Sequence, residues 1–395
     1  MTSGVTSIAK ARSTAKRRAE TKVVNDRAAT FLMAVVGVLV VVGLGATMSA
    51  SWIVGLDGGD QFGFVRQQSL ALIIGIGLAI VASRVPYQWY QKMAVPIFLL
   101  AVGGLVAVLV IGDVRAGAQR WISLGPIQMQ PSELAKFGLV VMVASVLTNK
   151  ERRLDTFWQF AVPVGIPIGL VAALLLQEPD FGTALVVVAG AMTVVALSTA
   201  PLRYIGTMIL GGLALASLFA VTASYRMARV SAFFADNPDI LGDGYQLDQS
   251  LKALGTGGLG GVGLGESRAR WLFLPNAHTD FIFSIIGEEI GFIGAAFILV
   301  LFSVVSVLGL MIALRAPDRF GRLLAGGITA WIVAQAMINI GGVVGLLPIS
   351  GIALPFVSYG GTALIMALGS AGVLVNIARQ GRPGGLHGAR KRKRK

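Results

Sequence analysis

The stretch LPNAHTDFIFSIIGEEIG, beginning at Leu274, puts Asp280 two residues after His278 and directly before Phe-Ile-Phe. A carboxylate at the mouth of an apolar helix is favoured by the helix dipole and disfavoured by its neighbours, a balance suited to a general base. The competing reading of Asp280 is a helix cap. His278 could orient a ligand, tune Asp280 or rest at an interface, and these two side chains are too few to define a metal site. On a helix, Glu288 falls about 80° round from Asp280 and roughly two turns deeper, with Glu289 nearly opposite. One of that pair is therefore expected to satisfy buried contacts.

Other ionisable residues stand where water is scarce, and each calls for a reason. Glu133 and Lys136, in MQPSELAKFG, are three apart and share a helix face, which predicts a neutralising structural ion pair. Ser132, after Pro131, is a candidate cap for the same helix. Glu178 and Asp180, in QEPDFGTAL, occupy a turn, and Asp180 reads equally as a cap or a site residue. In LLPISGIALPFVSYGG, prolines and glycines interrupt an apolar stretch that offers the hydroxyls of Ser358 and Tyr359. Broken backbone at membrane depth is tolerated where it is buried or lines a cavity, so a pocket beside Asp280 is expected, with a helix-packing turn as the alternative. In GTGGLGGVGLG, Gly255, Gly257 and Gly260 match GxGxxG, but no strand precedes them and no βαβ unit surrounds them. What survives is a flexible or tightly turning backbone beside a ligand.

The elements that must position these residues follow from composition. The 395 residues are 55% hydrophobic and 13% charged, with mean hydropathy +0.77, which excludes a soluble domain of ordinary composition. Apolar runs of about 20 residues recur without the alternation of a membrane barrel, so the fold class is an all-α polytopic membrane protein. Ten spans are expected at 30–50, 67–83, 93–112, 133–148, 159–177, 181–199, 204–222, 281–314, 320–346 and 357–377. Polar segments lie at 113–132, 347–357 and, between spans seven and eight, in a large extracytoplasmic loop at 223–280. Residues 245–254 of that loop suit an amphipathic surface helix. A basic tail at 1–29, a membrane domain at 30–378 and a basic tail at 379–395 complete the plan.

With the first tail inside, 24 of the 33 Lys and Arg fall on the cytoplasmic side and 8 on the other, so both termini are expected to be cytoplasmic. The net charge of +14 and the terminal ARKRKRK are explained by topology and anionic headgroups, so no nucleic-acid partner is expected. A cleaved signal peptide is disfavoured, because the first apolar run exceeds an ordinary h-region. The chain has no cysteine, so disulfides and thiolate metal sites are excluded.

GAQRWISLGPIQMQPSELAKF, QEPDFGTAL, YQLDQSLKALGTGGLGGVGLG, LPNAHTDFIFSIIGEEIGFIG and LLPISGIALPFVSYGG together resemble the SEDS family of bacterial cell-envelope proteins, in its order, over residues 30–380. The resemblance implies ten helices in the bacterial cytoplasmic membrane. It also implies polymerisation of lipid II into undecaprenyl-linked glycan, alongside a class B penicillin-binding protein and other divisome membrane proteins. The basic tails and SASW lean towards the family's division branch, with its elongation-type polymerase second. Asp280 resembles the family's essential aspartate and would be the base of an inverting transfer that expels undecaprenyl pyrophosphate. Arg120, Arg226 and Arg229 are candidates for holding the pyrophosphate. His278, Thr279, Ser358 and Tyr359 are candidates for substrate contact. No cofactor is certain, and a divalent cation, Mg or Mn, is compatible with the pyrophosphate role. Asn276 stands where the family commonly has Glu, and Ser350 where it commonly has Thr. A lipid II flippase, motivated by Glu133, Lys136, Glu288 and Glu289, is the rival reading, and a scaffold that only recruits membrane proteins is a third.

Overall fold

A backbone crossing lipid must pair its own N–H and C=O groups, and the apolar runs accordingly form helices. The computed structural model describes residues 2–115, 118–124, 127–149, 156–221, 244–271 and 273–380. In chain order these form α1 (Thr2–Asp57), α2 (Gly63–Arg84), α3 (Gln88–Lys92) and α4 (Ala94–Ile111). Strands β1 (Asp113–Arg115), β2 (Ala118–Leu124) and β3 (Ile127–Met129) follow. Next come α5 (Pro131–Asn149), α6 (Phe157–Gln177), α7 (Phe181–Ala196) and α8 (Leu202–Val221). The chain continues through α9 (Tyr245–Gly257), α10 (Ile282–Arg315), α11 (Arg319–Val343) and α12 (Gly361–Gln380).

Among the described residues, 8 helices are long and apolar enough to cross a membrane, and Phe181–Ala196 is a shorter apolar helix. Helix α8 occupies the remaining expected span. Several boundaries differ from expectation by three residues or more, the first span running on to Asp57, the second starting at Gly63 and the ninth ending at Val343. The last span begins at Gly361 and not at 357, because the backbone of 354–360 turns to pair with other segments. Helix α7 ends at Ala196, short of 199.

The polar segment expected at 113–132 carries a three-stranded antiparallel sheet of order β1-β2-β3, which the sequence did not announce. Ile122 pairs with Met129 in one hairpin and Val114 with Gln119 in the other. Strands this short carried too weak a period to outweigh the polarity around them.

Helices α5, α11 and α12 form the centre, with 78%, 72% and 72% of their apolar windows buried inside the protein, against 22% for α2. Helix α2 packs along α12, α10 along α11, and α7 and α5 along α11. The N-terminal ends of α2, α10 and α12 and the C-terminal end of α11 therefore meet around the loops carrying His278–Asp280 and Ser358–Tyr359.

Helix α9 caps this end. Its buried Ser250 shares a 2.7 Å hydrogen bond with Ser284 of α10 and donates to Val343 O of α11, also at 2.7 Å. The glycine-rich segment after it lies on the kink of α10 at Gly291, where φ is +73°. Val262 and Gly263 donate to Glu288 O and Glu289 O at 2.9 and 3.1 Å, and Phe292 donates to Gly258 O at 2.9 Å. A Cβ on Gly261 would sit 2.1 Å from Glu289 O, so the glycines permit backbone-to-backbone contact, with no strand or phosphate cradle involved.

Candidate active site

Asp280 sits half-exposed in the tight turn that enters α10. The turn is made by Asn276, whose φ of +55° is a left-handed conformation that Asn tolerates better than most residues. Its carbonyl accepts from the backbone N–H of Thr279 and of Asp280, both at 3.1 Å. The N-cap of α10 is Phe281 and no side chain caps the helix, so Asp280 is not its cap.

Two amides on α11, one turn apart, hold the surroundings of Asp280. Asn339 Nδ2 donates to Asp280 O and to Ile352 O, both at 2.7 Å. Gln335 Nε2 donates to Ala353 O at 2.8 Å, and Gln335 Oε1 accepts from Lys136 Nζ at 2.7 Å. Lys136 also lies 2.7 Å from Glu133 Oε1 and 5.0 Å from the centre of the Trp331 ring. Glu133, Lys136, Gln335 and Asn339 are all buried, so this is a continuous polar thread from the ion pair on α5 to the loops around Asp280. Ser132 does not serve as a cap: its hydroxyl is buried and has no partner among the described residues. Gln335 and Asn339 escaped the sequence reading because they carry no charge, although two amides four apart inside an apolar span were a usable signal.

The last loop lies against the same turn. Gly351 has φ +67°, and a Cβ there would stand 3.8 Å from Asp280 Oδ2. Ser358 Oγ donates to Thr279 O at 2.5 Å and accepts from Leu354 N at 2.8 Å, while Tyr359 N donates to His278 O at 3.0 Å. His278, Thr279, Asp280, Ser358 and Tyr359 are thereby brought together. Gln68 of α2 donates to Ser358 O and accepts from Gly360 N, both at 3.1 Å. Burial pushes the His278 imidazole below its ordinary pKa, which keeps it neutral at pH 7.

Arg120 on β2 grips the turn between α6 and α7. Its Nε donates to Glu178 O at 3.2 Å and lies 4.0 Å from Asp180 Oδ2, and its Nη2 donates to Pro179 O. The α6–α7 turn it grips packs on the last loop: a Cβ on Gly182 would meet Ser350 O at 2.6 Å. Asp180 caps α7 by accepting from Thr183 N at 3.2 Å. Glu178 is fully buried, and among the described residues neither carboxylate oxygen has a hydrogen-bond partner. Desolvation, aided by Asp180 and opposed by Arg120, pushes its pKa up to about 8. Arg226 and Arg229 lie outside the described residues.

Glu288 and Glu289 act as tethers in this structure. Glu288 accepts from Ser267 Oγ at 2.5 Å and from the N–H groups of Arg268 and Ala269 at 3.1 and 3.2 Å. Glu289 accepts from Ser49 Oγ of α1. Both are engaged with neighbouring segments, which weakens the case for a translocation path through them. Among the described residues no three His, Asp or Glu side chains converge as metal ligands. Arg120 Nε already lies 4.0 Å from Asp180 Oδ2, and no chemical step is assigned to a metal.

A family model described as "Cell cycle protein", spanning FtsW, RodA and SpoVE, matches residues 29–383. The chain belongs to the FtsW/RodA/SpoVE family. A relative in Geobacter sp. named "Probable peptidoglycan glycosyltransferase FtsW" is 42% identical over 322 residues, 81% of this chain and 88% of that protein. Stage V sporulation protein E of Bacillus subtilis is 39% identical over 330 residues, 82% of this chain and 89% of that protein. Among solved structures, a chain from work on a peptidoglycan synthase complex that coordinates polymerization and crosslinking superposes with TM-score 0.73. That chain is 30% identical, over 88% of this chain and 96% of its own length. Thermus thermophilus RodA superposes with TM-score 0.67 at 29% identity, over 89% of this chain and 96% of that one. The resemblance seen in the motifs is thus a family membership, and the protein is a multi-pass membrane protein of this FtsW/RodA/SpoVE type.

Proposed function

We propose that this protein is a peptidoglycan glycosyltransferase of the FtsW type, polymerising lipid II at the outer face of the bacterial cytoplasmic membrane during division. The observation that carries the chemistry is the placement of Asp280. It sits half-exposed at the end of the bundle that α9 and the last loop cover, outside the helix cap, with its backbone pinned by Asn339 and its carboxylate beside Gly351. Asp280 takes the proton of the acceptor's 4-hydroxyl as that oxygen attacks the donor's anomeric carbon. The C–O bond to undecaprenyl pyrophosphate breaks, the leaving group departs with the electron pair, and the configuration inverts.

Arg120 supports departure of the pyrophosphate. Two carbonyls accept from its Nε and Nη2, which fixes the guanidinium plane, and its side chain remains 23% exposed. The other N–H groups of the fork suit phosphate oxygens. Arg226 and Arg229 are proposed to share this work. Thr279 and Ser358 shape the turn that presents Asp280. Cross-linking falls to a class B penicillin-binding protein, with other divisome membrane proteins as further partners, and both termini are cytoplasmic. The domain plan is a basic tail at 1–29, the membrane domain at 30–378 with the outer loop at 223–280, and a basic tail at 379–395.

The test is glycan polymerisation from fluorescent lipid II by the purified protein with its cognate penicillin-binding protein, comparing wild type with Asp280→Asn. Polymer from wild type and none from the folded variant is expected. Polymer from both would remove Asp280 as base. Polymer from neither, with lipid II translocation in liposomes, would favour a flippase.

A further inference from the structure

Three aromatic rings from three separate elements meet beside Asp280: Phe64 in the first turn of α2, His278, and Tyr359 of the last loop. Ring centroids lie 4.9 Å apart for Phe64 and His278, 5.2 Å for Phe64 and Tyr359, and 5.7 Å for His278 and Tyr359. The planes meet at 64°, 70° and 59°, so the rings form a faceted surface in place of a parallel stack. All three are only partly buried.

The cluster is held from both sides. Tyr359 N donates to His278 O at 3.0 Å, and the Tyr359 hydroxyl donates to the exposed Gln67 side-chain carbonyl. The adjacent Gln68, 2% exposed, fixes Ser358 and Gly360 on either side of Tyr359. Two consecutive glutamines of α2 thus lock a ring that a purely structural contact would leave to packing.

The chemistry of this surface is specific. Its side chains are Phe, Tyr, Gln and a neutral His, and the nearest cation on α2, Arg66, is paired with Asp60 at 2.8 Å. Among the described residues, none of the side chains forming this surface carries a positive charge for a phosphate. A hexopyranose suits it: its axial C–H face meets the electron-rich face of an aromatic ring, and amide and hydroxyl groups at the rim meet its hydroxyls. The cluster also lies on the His278 side of Asp280, whereas Arg120 reaches the site through the α6–α7 turn and Ser350. The two approaches fit the two substrates of a transfer reaction, an uncharged sugar hydroxyl and a pyrophosphate-linked donor.

Resting on the glycosyltransferase reading, we propose that Phe64, His278 and Tyr359, with Gln67 at the rim, form the subsite for the acceptor's terminal N-acetylhexosamine ring. By seating that ring, the cluster supplies binding energy that holds the acceptor beside Asp280. Phe64 and Gln67 are substrate-binding residues in this scheme, and α2 becomes part of the active site.

The test uses the full-length protein with its cognate penicillin-binding protein, and two readouts. In polymerisation from lipid II, Phe64→Leu raises KM about tenfold with kcat little changed and shortens the glycan, the size of effect expected of one aromatic contact. Phe64→Trp restores near wild-type KM. In the second readout, a soluble β-1,4-linked N-acetylhexosamine tetrasaccharide is titrated against the Asp280→Asn protein by saturation-transfer NMR. Binding is expected, and Phe64→Leu on that background weakens it about tenfold. Tyr359→Phe, which removes only a hydroxyl, gives a smaller loss in both and guards against a folding defect. If Asp280→Asn abolishes polymer while the Phe64 and Tyr359 variants leave KM, chain length and tetrasaccharide binding unchanged, the subsite is wrong and the transferase reading stands. If wild type makes no polymer, the tetrasaccharide titration decides the subsite alone, and absence of ring-dependent binding overturns it.

Discussion

Asn339→Ala is the substitution that most directly tests how the fold aims Asp280. One amide nitrogen donates to Asp280 O and to Ile352 O at 2.7 Å each, from a residue only 4% exposed. Removing it leaves two carbonyls without their donor in a site water hardly reaches. At about 1–3 kcal/mol for each unsatisfied group, the native arrangement loses roughly 2–6 kcal/mol locally. The protein need not unfold to relieve this, because the two carbonyls belong to loops that can part. Parting moves Asp280 relative to the last loop, and a displacement of about 1 Å is enough to cost about 100-fold in rate. The expected result is a fall of about 100-fold in kcat for lipid II polymerisation, with KM little altered and a lowered melting temperature. Asn339→Asp should not rescue, since it keeps the shape but has no donor. A folded Asn339→Ala protein polymerising within about threefold of wild type would refute the idea that this amide positions the base.

Lys136→Met should destabilise strongly, by about 3–5 kcal/mol, because it strands the Glu133 carboxylate in a buried site. Adding Glu133→Gln should recover most of that loss, and thermal melts of the single and double variants in detergent measure the difference. Glu178 titrates with a folded pKa of about 8, above its ordinary value of 4.5, so the folded state favours the protonated carboxyl. Its contribution is intact below pH 4.5 and is lost as pH rises towards 8, since the unfolded chain then binds fewer protons than the folded one. Glu178→Gln should therefore melt higher than wild type at pH 8, with the gap narrowing towards pH 5. A gap independent of pH would mean that Glu178 is ionised throughout.

Much of the architecture was legible in the chain because membrane crossing imposes a strong local signal. Long apolar runs and broken Gly- and Pro-rich segments each act over a few turns, so a reading along the sequence could find them. Asp280, Glu133 and Lys136 stood out for the same reason: a charge amid apolar neighbours is costly wherever the chain folds. What the tertiary structure alone decided was which neutral residues those charges would meet. Gln335 and Asn339 are separated from Lys136 and Asp280 by about 200 and 59 positions, and only the packing of α11 against α5 and α10 joins them. Phe64 and Tyr359 become neighbours because α2 runs along α12. The short strands that carry Arg120 had too few residues to announce their period, and their pairing is fixed by hydrogen bonds between segments. Hydrophobicity and charge are properties of a residue and its near neighbours, whereas hydrogen-bond partners and ring contacts across helices exist only once the helices have packed.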